Sequence, residues 1–230
     1  MDYKRIKGLV LDFDGTMCLL FQNFSLSKVS ETLSNAMRKY NIKFSEKEDA
    51  FNVFDHILHQ TQEGLLRQQA LICADSILSN AEVDAIDSCE PIEYLNECLD
   101  YCKNHNIPIG IATNNSSTCV RKFLKKYCNN SLIHVIGRIA EKPSKMKPDP
   151  WSVSEISRLL RISPYEILLI GDSERDYSAS QKIGCKFIGM APTEKKYNRL
   201  YRLIPQNEIV KNYKELTPIL SCIFGGDYSG

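Results

Sequence analysis

The stretch Ile6-Lys7-Gly8-Leu9-Val10-Leu11-Asp12-Phe13-Asp14-Gly15-Thr16 decides how the rest of the chain reads. A short apolar run that does not alternate with polar residues, closed by acidic and small ones, is the pattern of a strand buried on both faces of a parallel sheet. The pattern recurs at Ile107–Ala112, at Ile167–Ile170 and at Lys186–Met190. Between these runs lie stretches with helical spacing: Ile92–Lys103, Ser117–Tyr127, Pro150–Leu160 and Asp176–Ile183 ahead of Gly184. Strands alternating with helices imply right-handed βαβ units and an α/β fold with a doubly wound, mostly parallel sheet.

One region breaks the alternation. From Cys18 to Cys89 no strand pattern is found, and Leu26–Tyr40, Glu46–Thr61, Gly64–Ser79 and Ala81–Cys89 carry apolar residues three and four apart. In the first of these, Leu26, Val29, Leu33, Ala36, Met37 and Tyr40 form one helical face. The organisation predicted is a Rossmann-like α/β core from residues 1–17 and 90–230, with an all-helical insert over 18–89. Ser163-Pro164-Tyr165-Glu166 predicts a helix start with Ser163 as N-cap and Glu166 closing a capping box. Asn212–Leu216 predicts the opening of a last helix, and 225–230 a frayed tail.

The chain has 230 residues, with 29 Lys and Arg against 28 Asp and Glu. So balanced a charge does not by itself draw in nucleic acid or an anionic membrane. The first residues show no apolar run of signal-peptide length, and no stretch approaches a membrane span, so a cytoplasmic protein is expected, monomeric or homodimeric. The nine cysteines are scattered and form no CxxC pair; Cys98 and Cys102 lie one helical turn apart without a second cysteine pair nearby. They read as buried thiols rather than a zinc site.

Four polar clusters fall at strand ends or in the loops between, and in open α/β sheets ligands bind at the carboxyl ends of the strands. Asp12, Asp14 and Thr16 are two apart, so an extended segment would turn all three to one side. Thr113-Asn114-Asn115-Ser116-Ser117 closes the second run, with one serine expected to cap the following helix. Lys142-Pro143-Ser144-Lys145-Met146-Lys147-Pro148-Asp149-Pro150 is a proline-stiffened loop with three lysines. Gly171-Asp172-Ser173-Glu174-Arg175-Asp176 closes the third run. Carboxylates from Asp12, Asp14 and Asp172, with Asp176 beside them, would repel one another unless a cation lies among them, and oxygen donors favour Mg²⁺.

As a set, Asp12–Thr16, Thr113-Asn114, Lys147-Pro148-Asp149-Pro150 and Gly171–Asp176 resemble the four motifs of the haloacid dehalogenase-like hydrolase superfamily, over about residues 6–190. The insert falls where the branch resembling phosphoglycolate phosphatase and β-phosphoglucomutase carries a helical cap. The resemblance implies Asp12 as the nucleophile that forms an aspartyl-phosphate, and Asp14 as the acid/base. It implies Thr113, Asn114 and Lys147 as phosphate-binding positions, with Lys147 preferred over Lys142 for its KPDP context. The metal set it implies is Asp12, Asp14 through its backbone carbonyl, Asp172 and Asp176, the last holding the ion or orienting Lys147. Family members that cleave carbon–halogen bonds lack the second aspartate, so phosphate chemistry is expected.

In the insert, Glu63-Gly64-Leu65-Leu66-Arg67 resembles the substrate-contacting turn of related caps, which makes Arg67 a candidate for an anionic group of the substrate. His56 and His59 share a helix face but read as structural. The expectation is a Mg²⁺-dependent phosphatase for a small phosphorylated metabolite. A phosphomutase of the β-phosphoglucomutase type and a phosphate-binding protein without turnover are the other two readings.

Overall fold

The computed structural model describes residues 3–128 and 133–225, so of the expected tail only Gly225 lies within the described residues. Strands β1 (Gly8–Leu11), β2 (Ile109–Ala112), β3 (His134–Ile136), β4 (Ile167–Gly171), β5 (Lys186–Met190) and β6 (Ile209–Val210) form one sheet in the order β3-β2-β1-β4-β5-β6. Every pairing is parallel. The chain builds outward from β1 to β2 and β3, then returns to lay β4 on the other side of β1. The direction of winding reverses there, and a crevice opens beyond the carboxyl ends of β1 and β4.

The unbroken apolar runs serve two faces at once. Leu9, Leu11, Ile111, Leu168, Ile170 and Ile188 belong to one buried cluster, whereas Val10, Ala112, Ile167, Leu169 and Phe187 belong to another on the opposite side. Side chains alternate across the sheet, and because both faces are covered the alternation leaves no polar residue in the pattern.

Helices α1 (Leu26–Met37), α2 (Val53–Gln60) and α3 (Leu65–Ala85) follow β1 and enclose a cluster of their own around Leu33, Met37, Phe54, Ile57 and Leu71. The two helices expected at Gly64–Ser79 and Ala81–Cys89 are one. Neither Pro nor Gly interrupts residues 65–85, so the turns continue through Asn80, about 30 Å in all. Its Leu71, Ala74 and Leu78 pack in the insert, while Ala85 with Ile86 and Cys89 joins Met17, Cys18 and Leu20 in the cluster beneath the sheet.

The other helices are α4 (Leu95–Asn104), α5 (Ser117–Tyr127), α6 (Trp151–Leu160), α7 (Glu174–Ile183), α8 (Glu194–Leu200) and α9 (Tyr213–Phe224). Ser116 caps α5 by accepting from Cys119 N at 3.3 Å, and Asn212 caps α9 by accepting from Glu215 N at 3.2 Å. The helix expected to start at Ser163 does not form. Pro164–Glu166 is a single 3₁₀ turn into β4, and the Glu166 carboxylate pairs with Lys7 instead of closing a capping box. The capping box lies at Ser173 and Asp176, at the start of α7. All nine cysteines are free thiols, seven of them buried.

Candidate active site

Beyond Leu11 the backbone keeps its sheet geometry for one residue, Asp12 N donating to Ile170 O at 2.9 Å. Phe13 turns under the sheet and meets Phe123 edge-on at 5.2 Å, which leaves Asp12 facing the crevice. The chain then folds back: Met17 N donates to Phe13 O at 2.8 Å, and Gly15 takes φ +88°, a conformation that excludes most side chains. The turn separates Thr16 from its expected companions. Thr16 is fully buried, its carbonyl accepting from Tyr213 Oη at 2.9 Å, so the every-other-residue reading holds only for Asp12 and Asp14. Asp14 is fixed by Leu20 N, which donates to Oδ1 at 2.9 Å.

Lys147 reaches Asp12 from the proline-stiffened loop. Its Nζ donates to Asp12 Oδ1 at 2.6 Å, to Ala112 O at 2.8 Å and to Asp176 Oδ1, with only 3% of the residue exposed. Lys142, the other lysine weighed for this role, is exposed. The Asn114 amide is committed to the Lys147 backbone on both sides, donating to its carbonyl at 2.9 Å and accepting from its N–H at 2.8 Å. In this geometry Asn114 holds Lys147 in place. The Thr113 hydroxyl donates to Asn115 Oδ1 and accepts from Asn115 N, each at 3.1 Å.

Burial, and then the charge of Asp176, hold the Asp12 carboxyl above the ordinary carboxylate range, with Lys147 pulling the other way. Burial also pushes Asp14 up to about 6. For Lys147 burial works against the charge, yet Asp12 and Asp176 together raise its pKa above the usual lysine value. Asp12, Asp172 and Asp176 each offer a carboxylate oxygen, all within 4.8 Å of one another. A lysine ammonium, Lys196 Nζ from α8, already bonds to Asp172 Oδ2, so this position accepts a cation. The donors are hard oxygens of the kind that suit a small divalent ion. Asp176 is the least available of them, since its second oxygen accepts from Ser173 N at 3.2 Å.

These groups line a cavity of about 320 Å³, walled on the insert side by Asp49, Phe51, Asn52 and Phe54 and on the core side by Met146, Arg138, Arg175 and Lys196. Arg67 is elsewhere. Its Nε donates to Thr61 Oγ1 at 3.1 Å and its Nη2 to Leu58 O at 3.1 Å and to Thr61 O, tying the start of α3 to the end of α2. An Arg67→Ala substitution is therefore expected to lower stability by about 1–2 kcal/mol while changing KM less than about twofold, read by urea denaturation and steady-state kinetics. His56 and His59 accordingly serve the insert: His56 donates from Nδ1 to Lys43 O and pairs with Glu48, and His59 donates from Nδ1 to Asp55 O.

Three residues escaped the sequence reading: Arg138, Glu82 and Lys196. Arg138, just beyond β3, is a buried guanidinium that donates to Asp75 at 2.6 Å, Glu82 at 2.8 Å, Asn114 O at 2.9 Å and Ser79 Oγ at 3.1 Å. Glu82 on α3 also accepts from Asn115 Nδ2 at 3.1 Å and Ser116 N at 2.8 Å. The pair thus pins α3 to the Thr113–Ser116 loop. A signal for Glu82 existed: it sits four residues after Leu78 and three before Ala85, an acid in an apolar stripe. Lys196 had none, because its partner is at the end of a different strand.

The family model for haloacid dehalogenase-like hydrolases matches residues 9–190. The pyrophosphatase PpaX of Bacillus mycoides is 24% identical over 223 residues, 96% of this chain and 100% of that protein. An uncharacterised hydrolase of Saccharomyces cerevisiae is 24% identical over 185 residues, 79% of this chain and 76% of that one. Among solved structures, that of a predicted phosphatase from Clostridium acetobutylicum superposes with a TM-score of 0.66 at 15% identity, over 94% of this chain and 98% of its own. The chain belongs to the haloacid dehalogenase-like hydrolases, as a hydrolase of the phosphatase kind.

Proposed function

We propose that this chain is a magnesium-dependent phosphatase that hydrolyses a small phosphorylated metabolite through an aspartyl-phosphate on Asp12. The observation that carries the reading is the meeting of Asp12, Lys147, Asp172 and Asp176 at the floor of one cavity, with insert residues as its far wall. Mg²⁺ held by Asp12, Asp172, the Asp14 carbonyl and, directly or through water, Asp176 would supply positive charge against the substrate phosphate.

The chain's own groups then divide the work. Lys147 fixes one oxygen of Asp12 and lowers the repulsion between that carboxylate and the incoming phosphate. Asp12 attacks phosphorus through its other oxygen, and the bond from phosphorus to the leaving oxygen breaks. Asp14, whose raised pKa keeps a share of it protonated near neutrality, gives its proton to that oxygen. It then takes a proton from the water that attacks phosphorus, freeing Asp12 and inorganic phosphate. Thr113 and the backbone of its loop would face the phosphate oxygens, and Asn114 serves by positioning Lys147.

The insert over 18–89 acts in this reading as a cap that excludes water and selects the leaving group, with Phe51, Asn52 and Phe54 nearest the substrate. The protein is proposed to work in the cytoplasm, as a monomer or homodimer; no helix among the described residues is long and apolar enough to cross a membrane. With Mg²⁺ present, the purified protein is expected to release phosphate from at least one of a panel of sugar phosphates, nucleotides and short phospho-acids, and to stop when a chelator is added. Inorganic pyrophosphate belongs on that panel, since the Bacillus mycoides relative matched end to end is a pyrophosphatase. No release from any compound would contradict the proposal.

A further inference from the structure

Lys196 stands at the third position of α8, whose N-cap Thr193 accepts from Lys196 N at 3.4 Å, so the first turn of that helix aims the lysine back over the ends of β1 and β4. Its ammonium bonds to Asp172 Oδ2, in a side chain only a quarter exposed against an Asp172 side chain 9% exposed. Space for it exists because residue 15 is glycine. A Cβ there would collide with Lys196 Nζ and Asp172 Oδ2. The ammonium, the carboxylate and the turn that follows Asp14 therefore share one small volume.

We propose that Lys196 is an internal cation that occupies Asp172 in the metal-free protein and must withdraw before a divalent ion can bind, so that residue 196 sets the metal affinity of the site. The inference rests on the magnesium reading above. An ammonium and a divalent ion cannot both sit against the same carboxylate oxygen without strong repulsion, so part of the metal's binding energy goes into displacing the lysine. The same contact pairs the Asp172 carboxylate while the metal is absent, and removing the ammonium then leaves a mostly buried charge without its partner.

The test is a calorimetric titration of MgCl₂ into metal-stripped, full-length wild type, Lys196→Met and Lys196→Gln, with circular dichroism to establish that each is folded. The two variants are expected to bind Mg²⁺ on the order of tenfold more tightly than the wild type, with a larger rise in melting temperature on adding the ion and a lower melting temperature without it. The glutamine variant keeps a hydrogen bond to Asp172 without the charge, so tighter binding in both isolates the charge as the cause. Equal affinity in all three overturns this inference alone; no binding in any of them overturns it together with the magnesium reading.

Discussion

Asp12→Asn is expected to lower phosphate release by at least about 10⁴-fold while leaving the protein folded. Asparagine keeps the size of the side chain and an oxygen for Lys147, which bonds to Asp12 Oδ1 at 2.6 Å, so the packing at the end of β1 survives. What is lost is the carboxylate oxygen that attacks phosphorus, and no neighbour replaces it. Asp14 is held by Leu20 N, and Asp176 is bonded to Lys147 and Ser173. The measurement is phosphate release under Mg²⁺ on the best compound of the panel, with circular dichroism as the check of fold. Activity within about tenfold of the wild type would show that the phosphoryl group does not pass through Asp12.

The largest effect on stability is expected at Glu82. Glu82→Ala should lower the free energy of unfolding by about 3–5 kcal/mol, read from the midpoint of urea denaturation at unchanged slope. The Glu82 and Arg138 side chains are both 0% exposed, so removing the acid leaves a buried guanidinium with the partly exposed Asp75 as its remaining carboxylate. It also leaves Asn115 Nδ2 and Ser116 N without their acceptor. Burial disfavours the Arg138 charge, and Glu82 first and Asp75 second are what hold it above the usual arginine value. Phosphate release should fall as well, because the loop that carries Thr113 loses its tie to α3. Glu82→Gln, which keeps an acceptor, should cost less than the alanine variant. A change below about 1 kcal/mol for Glu82→Ala would mean that the pair contributes nothing beyond its own desolvation.

The parts of the fold that could be read from sequence are those whose cause is local. β1, β2, β4 and β5 announce themselves because each is an apolar run ending in residues that a buried strand would not tolerate, and those ends are where Asp12, Thr113 and Asp172 are found. β3 and β6, with three and two residues, are too short to carry a pattern and exist because a neighbouring strand pairs with them. Lys147 was legible through its prolines. Arg138 with Glu82, 56 residues apart, and Lys196 with Asp172, 24 apart, were not, since each pair is made by topology and not by spacing. Thr16 and Ser163 show the opposite error: a local rule applied where the tertiary context prevails, at a turn through Gly15 in one case and at a short 3₁₀ entry to β4 in the other.

The proposed mechanism requires Asp12 to become phosphorylated. Its most direct test is to mix the protein and Mg²⁺ with acetyl phosphate or p-nitrophenyl phosphate, quench in acid within one turnover, digest, and locate any added phosphoryl group by peptide mass spectrometry. The expected result is one phosphoryl group on the peptide that holds Asp12, absent from Asp12→Asn and lost on longer incubation as phosphate appears. Phosphate released with no modified peptide at any time point, or with the group on another residue, would contradict the account.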